Sequence, residues 1–205
     1  MLLSITYPLI CTIIPCTVYQ LVAVRKLENK NNLFRHMIWV YIFLLYINLV
    51  FSVTGIGTVW DIGIYGEIIR TNEINLIPFR NGIEIGDALN AIMFMPLGFL
   101  LPLIWESFRN IFKVICTGVG FSLVIELSQL LNRRITDSND LLMNAMGALL
   151  GYLVWIVFKR IFKKSGEKSI ILSKNEPIFY LLLAFSGNFL LFNWRFLIKV
   201  LEAIQ

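Results

Sequence analysis

Charged residues are scarce in this chain. They make up 15% of its 205 residues, whereas 58% are hydrophobic, and a soluble domain carries about a quarter charged residues. The sequence also has only one histidine and three cysteines, and none stands at a metal-ligand or disulfide-framework spacing. No motif indicates a cofactor or a bound metal. These absences exclude an ordinary soluble domain, a histidine–cysteine metal site and a disulfide-rich scaffold.

What the chain has instead is six long apolar runs. Five contain no charge, and the remaining one is interrupted only by Glu126. About 20 helical residues cross the hydrocarbon core of a bilayer, and roughly 17 suffice. The sequence therefore predicts an all-α polytopic membrane protein with six transmembrane helices, forming a single membrane domain over residues 1–205. The runs are Leu2–Val24, Met37–Trp60, Ala88–Trp105, Val114–Asn132, Leu141–Phe158 and Pro177–Trp194.

The distribution of basic residues predicts the orientation. Twelve of the 18 lie in alternate connections between the runs, and cytoplasmic loops carry the excess of Lys and Arg. We therefore expect both termini outside, together with the connections Asp61–Asp87 and Asn132–Asp140. Anionic lipid headgroups account for the basic segments, so no nucleic-acid partner is predicted. The twelve are Arg25, Lys26, Lys30, Arg35, Arg109, Lys113, Lys159, Arg160, Lys163, Lys164, Lys168 and Lys174.

The first run has no basic segment before it and no small-residue cleavage site after it. We therefore expect a retained helix rather than a cleaved signal. His36, at the start of the second run, is expected to be an ordinary interfacial polar residue. Pro96 is expected to kink the third helix and leave a carbonyl for a neighbour. Asn188, in mid-membrane, is expected to pair with another helix.

Two polar stripes follow the fourth and fifth runs. Their helical spacing puts each stripe on one face, and the short connection makes the two helices antiparallel neighbours. The stripes are therefore expected to meet near the outer surface. A carboxylate in lipid costs at least about 2.5 kcal/mol, so Glu126 should face the bundle interior beside an arginine. The stripes are Ser122, Glu126, Gln129 and Arg133, and Asp140, Asn144, Gly147 and Gly151.

The residues leave several functions open. Polar groups at helix interfaces often only join helix to helix, and Asp140 could be the N-cap of the fifth helix. A ligand-binding cleft is the second possibility. A third is a membrane enzyme that modifies a lipid or glycan, with Glu126 and Asp137 or Asp140 as acid/base pair or metal ligands. A transporter is a fourth possibility, although it would need polar residues through the inner half as well.

The middle of the chain, about residues 75–158, contains an ordered set of residues: Asn75, Pro78 and Phe79; Asn90; Phe94-x-Pro96-Leu97-Gly98; Ser122, Glu126 and Gln129; Arg133 and Arg134; and Asp137, Asp140, Asn144, Gly147 and Gly151. This set resembles the VanZ-like family. This resemblance implies a small bacterial membrane protein associated with low-level resistance to teicoplanin-type glycopeptide antibiotics. No single fragment carries it, but the ordered set does.

Taken with this resemblance, these residues predict a non-enzymatic envelope protein with a polar cleft facing outward, capped by the loop from Asn75 to Arg80. Membrane lipids are expected partners. The cleft is expected to bind a lipid-linked wall precursor, a lipid headgroup or the antibiotic itself. Arginines would contact phosphate or carboxylate in bidentate fashion, Glu126 would hold an arginine, and amides would add neutral hydrogen bonds. The candidate ligand-binding residues are Asn75, Pro78, Phe79, Arg80, Asn90, Ser122, Glu126, Gln129, Arg133, Arg134, Asp137, Asp140 and Asn144.

Overall fold

A computed structural model describes most of the chain. The described residues are 2–27, 30, 32–66, 74–75, 82, 84–132, 136–162, 172–173 and 175–204. Within them the protein is helical, apart from two strands of two residues each. The helices are α1 (Leu2–Arg25), α2 (Leu33–Thr54), α3 (Ile85–Ile104), α4 (Ile111–Gln129), α5 (Ser138–Phe162), α6 (Glu176–Leu191) and α7 (Trp194–Ile204), with 3-10 turns at Val59–Asp61 and Glu106–Phe108.

The first five helices are long and apolar enough to cross a membrane, and each matches one of the predicted runs. Local signals set their ends. Asn110 caps α4, because its side-chain oxygen accepts from the backbone N–H groups of Phe112 and Lys113 at 2.9 and 3.3 Å. Gly55 ends α2 in the left-handed conformation, with φ 61°, which glycine adopts without a steric penalty.

The sixth predicted span is broken. α6 ends at Leu191, and α7 continues at an angle of 54° to it. The break follows from Asn193, whose side-chain oxygen accepts from the N–H groups of Arg195 and Phe196 at 3.1 Å and so starts a new helix. The part of the chain that the structure describes therefore has five continuous spanning helices, or six if the bent pair counts as one.

Glycines bring α3 and α5 into backbone contact. A Cβ added at Gly98 would lie 1.9 Å from the carbonyl oxygen of Ala148, and one at Gly147 would lie 2.1 Å from that of Ala91. Gly151 faces the carbonyl of Met95 in the same way. Small residues permit this approach between membrane helices, where dispersion contacts replace the hydrophobic driving force. α3 and α5 therefore form the most closely packed pair of the bundle.

α1 and α6 make a second glycine-mediated contact. A Cβ at Gly187 would lie 2.1 Å from the carbonyl oxygen of Cys11. Nearby, the Asn188 amide donates to the hydroxyl of Thr12 at 2.7 Å, so the expectation that Asn188 pairs with another helix is confirmed. These two helices form a pair beside the α3–α5 unit.

α2 joins the two helix pairs. Phe43, Leu44 and Ile47 on its inner face are fully buried in a core shared with the other helices. The Tyr46 hydroxyl donates to the carbonyl of Met93 in α3 at 2.9 Å, one residue beyond the carbonyl that Pro96 leaves without its helical donor. α3 continues through that proline to Ile104, and a neighbouring helix supplies a donor at this turn.

A short parallel pairing joins the two connections that the sequence assigns to one side. Strand β1 (Ile74–Asn75) pairs with β2 (Thr136–Asp137), with Asn75 opposite Asp137. We call the end of the bundle that holds the α2–α3 and α4–α5 connections the site end. The opposite end, which holds the α1–α2, α3–α4 and α5–α6 connections, is the basic end.

The α3–α5 contact predicts a position-specific cost of adding one methyl group. Gly98→Ala should lower the apparent melting temperature in detergent by at least about 3 °C, because overpacking costs about 1–3 kcal/mol. Gly120→Ala on α4 is the matched control, since nothing lies within 4 Å of its added Cβ. It should leave the temperature unchanged or slightly higher, because alanine favours the helix. Equal losses in the two variants would contradict the contact.

Candidate functional site

The polar stripe of α4 faces the bundle interior. Ser122 and Gln129 are buried, and Glu126 between them is 5% exposed. Glu126 therefore does not point into acyl chains, which agrees with the prediction that a carboxylate at this depth must turn inward. The stripe places one carboxylate, one hydroxyl and one amide along the same buried face.

Polar side chains of α3 and α5 complete this layer. The Asn144 amide of α5 donates to the Ser122 hydroxyl of α4 at 2.8 Å. The Asn90 amide of α3 donates to the Asp140 carboxylate of α5 at 2.5 Å. The two predicted stripes therefore meet, and the third helix joins them as expected. The alternative that Asp140 is the N-cap of α5 is wrong, because that helix begins two residues earlier, at Ser138.

The end of α2 is also part of the site, which the sequence did not indicate. The Gln129 amide donates to the carbonyl oxygen of Thr54 at 2.8 Å. The side-chain amide of Asn132 donates to the carbonyl oxygen of Gly55 at 2.9 Å. A Cβ at Gly57 would lie 1.9 Å from the carbonyl oxygen of Ser128, so glycine is needed there. The irregular, glycine-containing exit from the second run was the available signal.

Two buried oxygens in the layer lack a hydrogen-bond partner in the described structure. They are Oε1 of Gln129 and Oδ1 of Asn144, each on a side chain that is at least nine-tenths buried. The Thr54 carbonyl can only accept, so it fixes the Gln129 amide with its nitrogen toward α2 and its oxygen free. These two oxygens are acceptors, and they lie in the same buried layer as the Glu126 carboxylate. Such a layer suits a group that donates hydrogen bonds or carries positive charge.

The capping loop is described only in part. The pairing of β1 with β2 brings the backbone of Asn75 beside that of Asp137, so the α2–α3 connection reaches the α4–α5 connection. The predicted pairing of an arginine with Glu126 or Asp137 stays a prediction. Five candidate residues lie outside the described residues: Pro78, Phe79, Arg80, Arg133 and Arg134.

His36 lies in the first turn of α2, as the sequence indicated. It is buried at the basic end, where Nε2 lies 2.8 Å from Oε1 of Glu176. The sequence did not predict its partner, because Glu176 follows 140 residues later and precedes its apolar run by one position, so nothing local indicates the pair. This pair is separate from the polar layer at the site end.

The fold and the buried polar layer define a multi-pass α-helical membrane protein with a polar site near one end of its bundle. The family model for VanZ/LLP1 matches residues 38–159, which is more than half of the chain. The chain belongs to this family, as its resemblance indicated, and the family links it to glycopeptide resistance. No curated protein matches the chain, and no solved structure matches it.

The matched range shows which elements belong to the family unit. It begins within α2 rather than near Asn75, and it ends one residue after Phe158, close to the end of α5. Thr54, Asn90, Glu126 and Asp140 therefore all lie inside it. α1, α6 and α7 lie outside the matched range.

The Asn90–Asp140 bond predicts energetic coupling between α3 and α5. In a double-mutant cycle of Asn90→Ala and Asp140→Ala, unfolding in bicelles should give a coupling of about 0.6–1.7 kcal/mol, the range found for interhelical hydrogen bonds. The cycle cancels the effect of each substitution on its own helix. Losses that add to within about 0.3 kcal/mol would show that the two side chains do not interact.

Proposed function

We propose that the protein binds, at the polar layer of the site end, an envelope ligand that donates hydrogen bonds, and that this lowers the effect of a glycopeptide antibiotic at the membrane. The ligand classes are a lipid-linked wall precursor, a lipid headgroup and the antibiotic itself. The unpartnered buried acceptors favour the first and the third, because both carry peptide N–H groups and sugar hydroxyls. A phosphate headgroup offers mainly acceptors.

The observation that carries this proposal is the combination of Glu126 with the unpartnered oxygens of Gln129 and Asn144. Buried amide oxygens in folded proteins nearly always have a donor, so two on neighbouring helices beside a carboxylate indicate a group that binds there. Joining helix to helix would not by itself account for them. The two amides already make their interhelical bonds through nitrogen, to Thr54 and Ser122.

The arginines have a complementary role in the proposal. Arg80, Arg133 and Arg134 belong to the two connections that meet at the site end. A guanidinium forms two parallel hydrogen bonds to a phosphate or carboxylate, so one of these residues would hold the acidic part of a ligand. The acceptor layer below would then bind its amides or hydroxyls. A lipid-linked wall precursor, with a phosphate beside a sugar and a peptide, offers both kinds of group.

The distribution of basic residues supports an outward position for this site. The basic end carries twelve of the 18 Lys and Arg residues, and such segments remain in the cytoplasm. The site end would then face the outer surface of a bacterial cytoplasmic membrane. Glycopeptides and wall precursors meet on that side, so the site would be where the family's phenotype arises.

Glu126→Gln tests the proposal, because it preserves the size of the side chain and removes the charge. Binding of fluorescent teicoplanin or of a lipid-linked disaccharide–pentapeptide to the protein in nanodiscs should weaken about tenfold or more. A hydrogen bond to a charged group contributes about 1.5–3 kcal/mol, and 1.4 kcal/mol is a factor of ten. The teicoplanin concentration that inhibits growth of an expressing strain should fall in parallel.

Glu106→Gln is the matched control. Glu106 is an exposed carboxylate at the basic end, paired with Arg109 at 2.7 Å, and its loss should change neither binding nor growth. Equal effects of the two variants, at equal amounts of folded protein, would contradict the proposed site. If Glu126→Gln binds both ligands normally yet abolishes resistance, the enzyme alternative, with Glu126 as acid/base or metal ligand, replaces the binding one.

A further inference from the structure

The break after α6 lies at the site end and is satisfied by the protein itself. α6 has 16 residues and is therefore about 24 Å long, whereas the hydrocarbon core is about 30 Å thick. The indole N–H of Trp60 donates to the carbonyl of Leu190 at 3.1 Å. The hydroxyl of Tyr7 donates to that of Leu191 at 2.6 Å. Carbonyls freed at membrane depth need such donors, because lipid offers none.

α7 follows this break with its charges on one face. Arg195, Lys199 and Glu202 stand at i, i+4 and i+7, and the other residues of the helix are apolar. Lys199 and Glu202 are exposed. A straight continuation of the span would carry Lys199 into the acyl chains, which is unfavourable, but α7 turns 54° away from α6. A helix with one charged face and an apolar remainder is typical of the membrane interface.

Apolar side chains at this corner of the bundle are exposed in two segments. In α7, Phe196 is 58% exposed and Ile198 is 42% exposed. In the turn after α2, the exposed side chains are Trp60, Ile62 and Ile64. Both segments lie beyond the ends of α2 and α6. The last two residues of α6, Leu190 and Leu191, are exposed as well, so the apolar surface continues from a membrane-spanning helix onto α7.

Two contacts join α7 to the turn after α2. The indole N–H of Trp194 donates to Oδ1 of Asp61 at 3.1 Å. The guanidinium of Arg195 lies 6.0 Å from the ring centroid of Tyr65 and 5.1 Å from that of Trp194. Both distances are in the range of cation–π attraction. The two segments therefore form one surface, made of residues 60–65 and α7, which we call the interfacial corner.

We propose that the interfacial corner is a lipid-binding surface, which lies in the headgroup region of the leaflet at the site end. Its exposed apolar side chains insert among the upper parts of the acyl chains. Arg195 is engaged by two aromatic rings, so Lys199 is the cation placed to contact a lipid phosphate. Tryptophan and tyrosine are enriched at this depth of membrane proteins, as they are here. The corner thereby holds the start of the α2–α3 connection at the level of the phosphates, whichever ligand the site end binds.

Spin labels on the full-length protein in lipid bilayers test this position. Single labels are attached in Phe196→Cys and Lys199→Cys, with Cys116→Ser in the background because the other two cysteines are buried. Relaxation by oxygen and by a water-soluble nickel chelate gives the depth of each label. The label at Phe196 should lie about 5–10 Å below the phosphates, and the label at Lys199 should be accessible to the chelate.

Leu45→Cys is the matched control, since Leu45 is half-exposed in the middle of α2. Its label should lie near the bilayer centre, about 15 Å inside the hydrocarbon core. A label at Lys199 as deep as this control would show that α7 continues the span. A label at Phe196 as accessible to the chelate as that at Lys199 would place α7 in water. Protection of both α7 labels from both agents would show that a second copy or another protein covers them. Each of these three results would overturn the proposal.

A measurement on the unmodified protein removes the dependence on the labelled variants. Solid-state NMR in lipid bilayers detects magnetisation transfer from acyl-chain protons to the Phe196 ring and from water protons to the Lys199 ammonium group. Both transfers are expected, because the two side chains lie on opposite sides of the interface. The ring signal can be assigned by its loss in Phe196→Leu. Absence of the transfer from lipid to Phe196 would overturn the proposal whatever the spin labels show.

Discussion

The structure depends on the backbone contact between α3 and α5. Gly98, Gly147 and Gly151 remove the side chains that would hold these helices apart. In a bilayer the lipid tails are as apolar as the helix surfaces, so close packing and interhelical hydrogen bonds replace the hydrophobic effect. The same contact fixes the relative rotation of the two helices, and it thereby brings Asn90 to Asp140. The position of the polar layer at the site end therefore depends on helix packing nearer the middle of α3 and α5.

The bundle has two buried polar clusters, one at each end. At the site end the unpartnered atoms of Gln129 and Asn144 are acceptors, and Glu126 adds a carboxylate to them. At the basic end the carboxylate of Glu176 is engaged by His36 and by the backbone N–H of Leu172. Inside an apolar bundle each unpaired group raises the free energy. The unpartnered oxygens of the site end therefore favour a ligand rich in N–H and hydroxyl groups.

Long apolar runs predicted the first five helices, and the inward position of Glu126 followed from the free energy of a charge in lipid. Helical spacing also placed the stripe of Glu126 correctly against the fifth helix. Two consecutive helices with a short connection pack as antiparallel neighbours, so few arrangements of their faces are possible. Two features were not predictable in this way. The His36–Glu176 pair joins residues 140 positions apart. The break after Leu191 depends on capping by Asn193, which hydropathy does not detect.

α2 connects the two clusters physically. Its 22 residues extend about 33 Å, with His36 in the first turn and Thr54 as the last residue. The first is held to α6 by Glu176, and the carbonyl of the second receives the Gln129 amide. A helix is stiff along its axis, so the pair at one end sets the position of the acceptor at the other. The family match begins within α2, which agrees with this helix being part of the site. The site therefore needs α2 in register with α4, in addition to the polar residues of α3, α4 and α5.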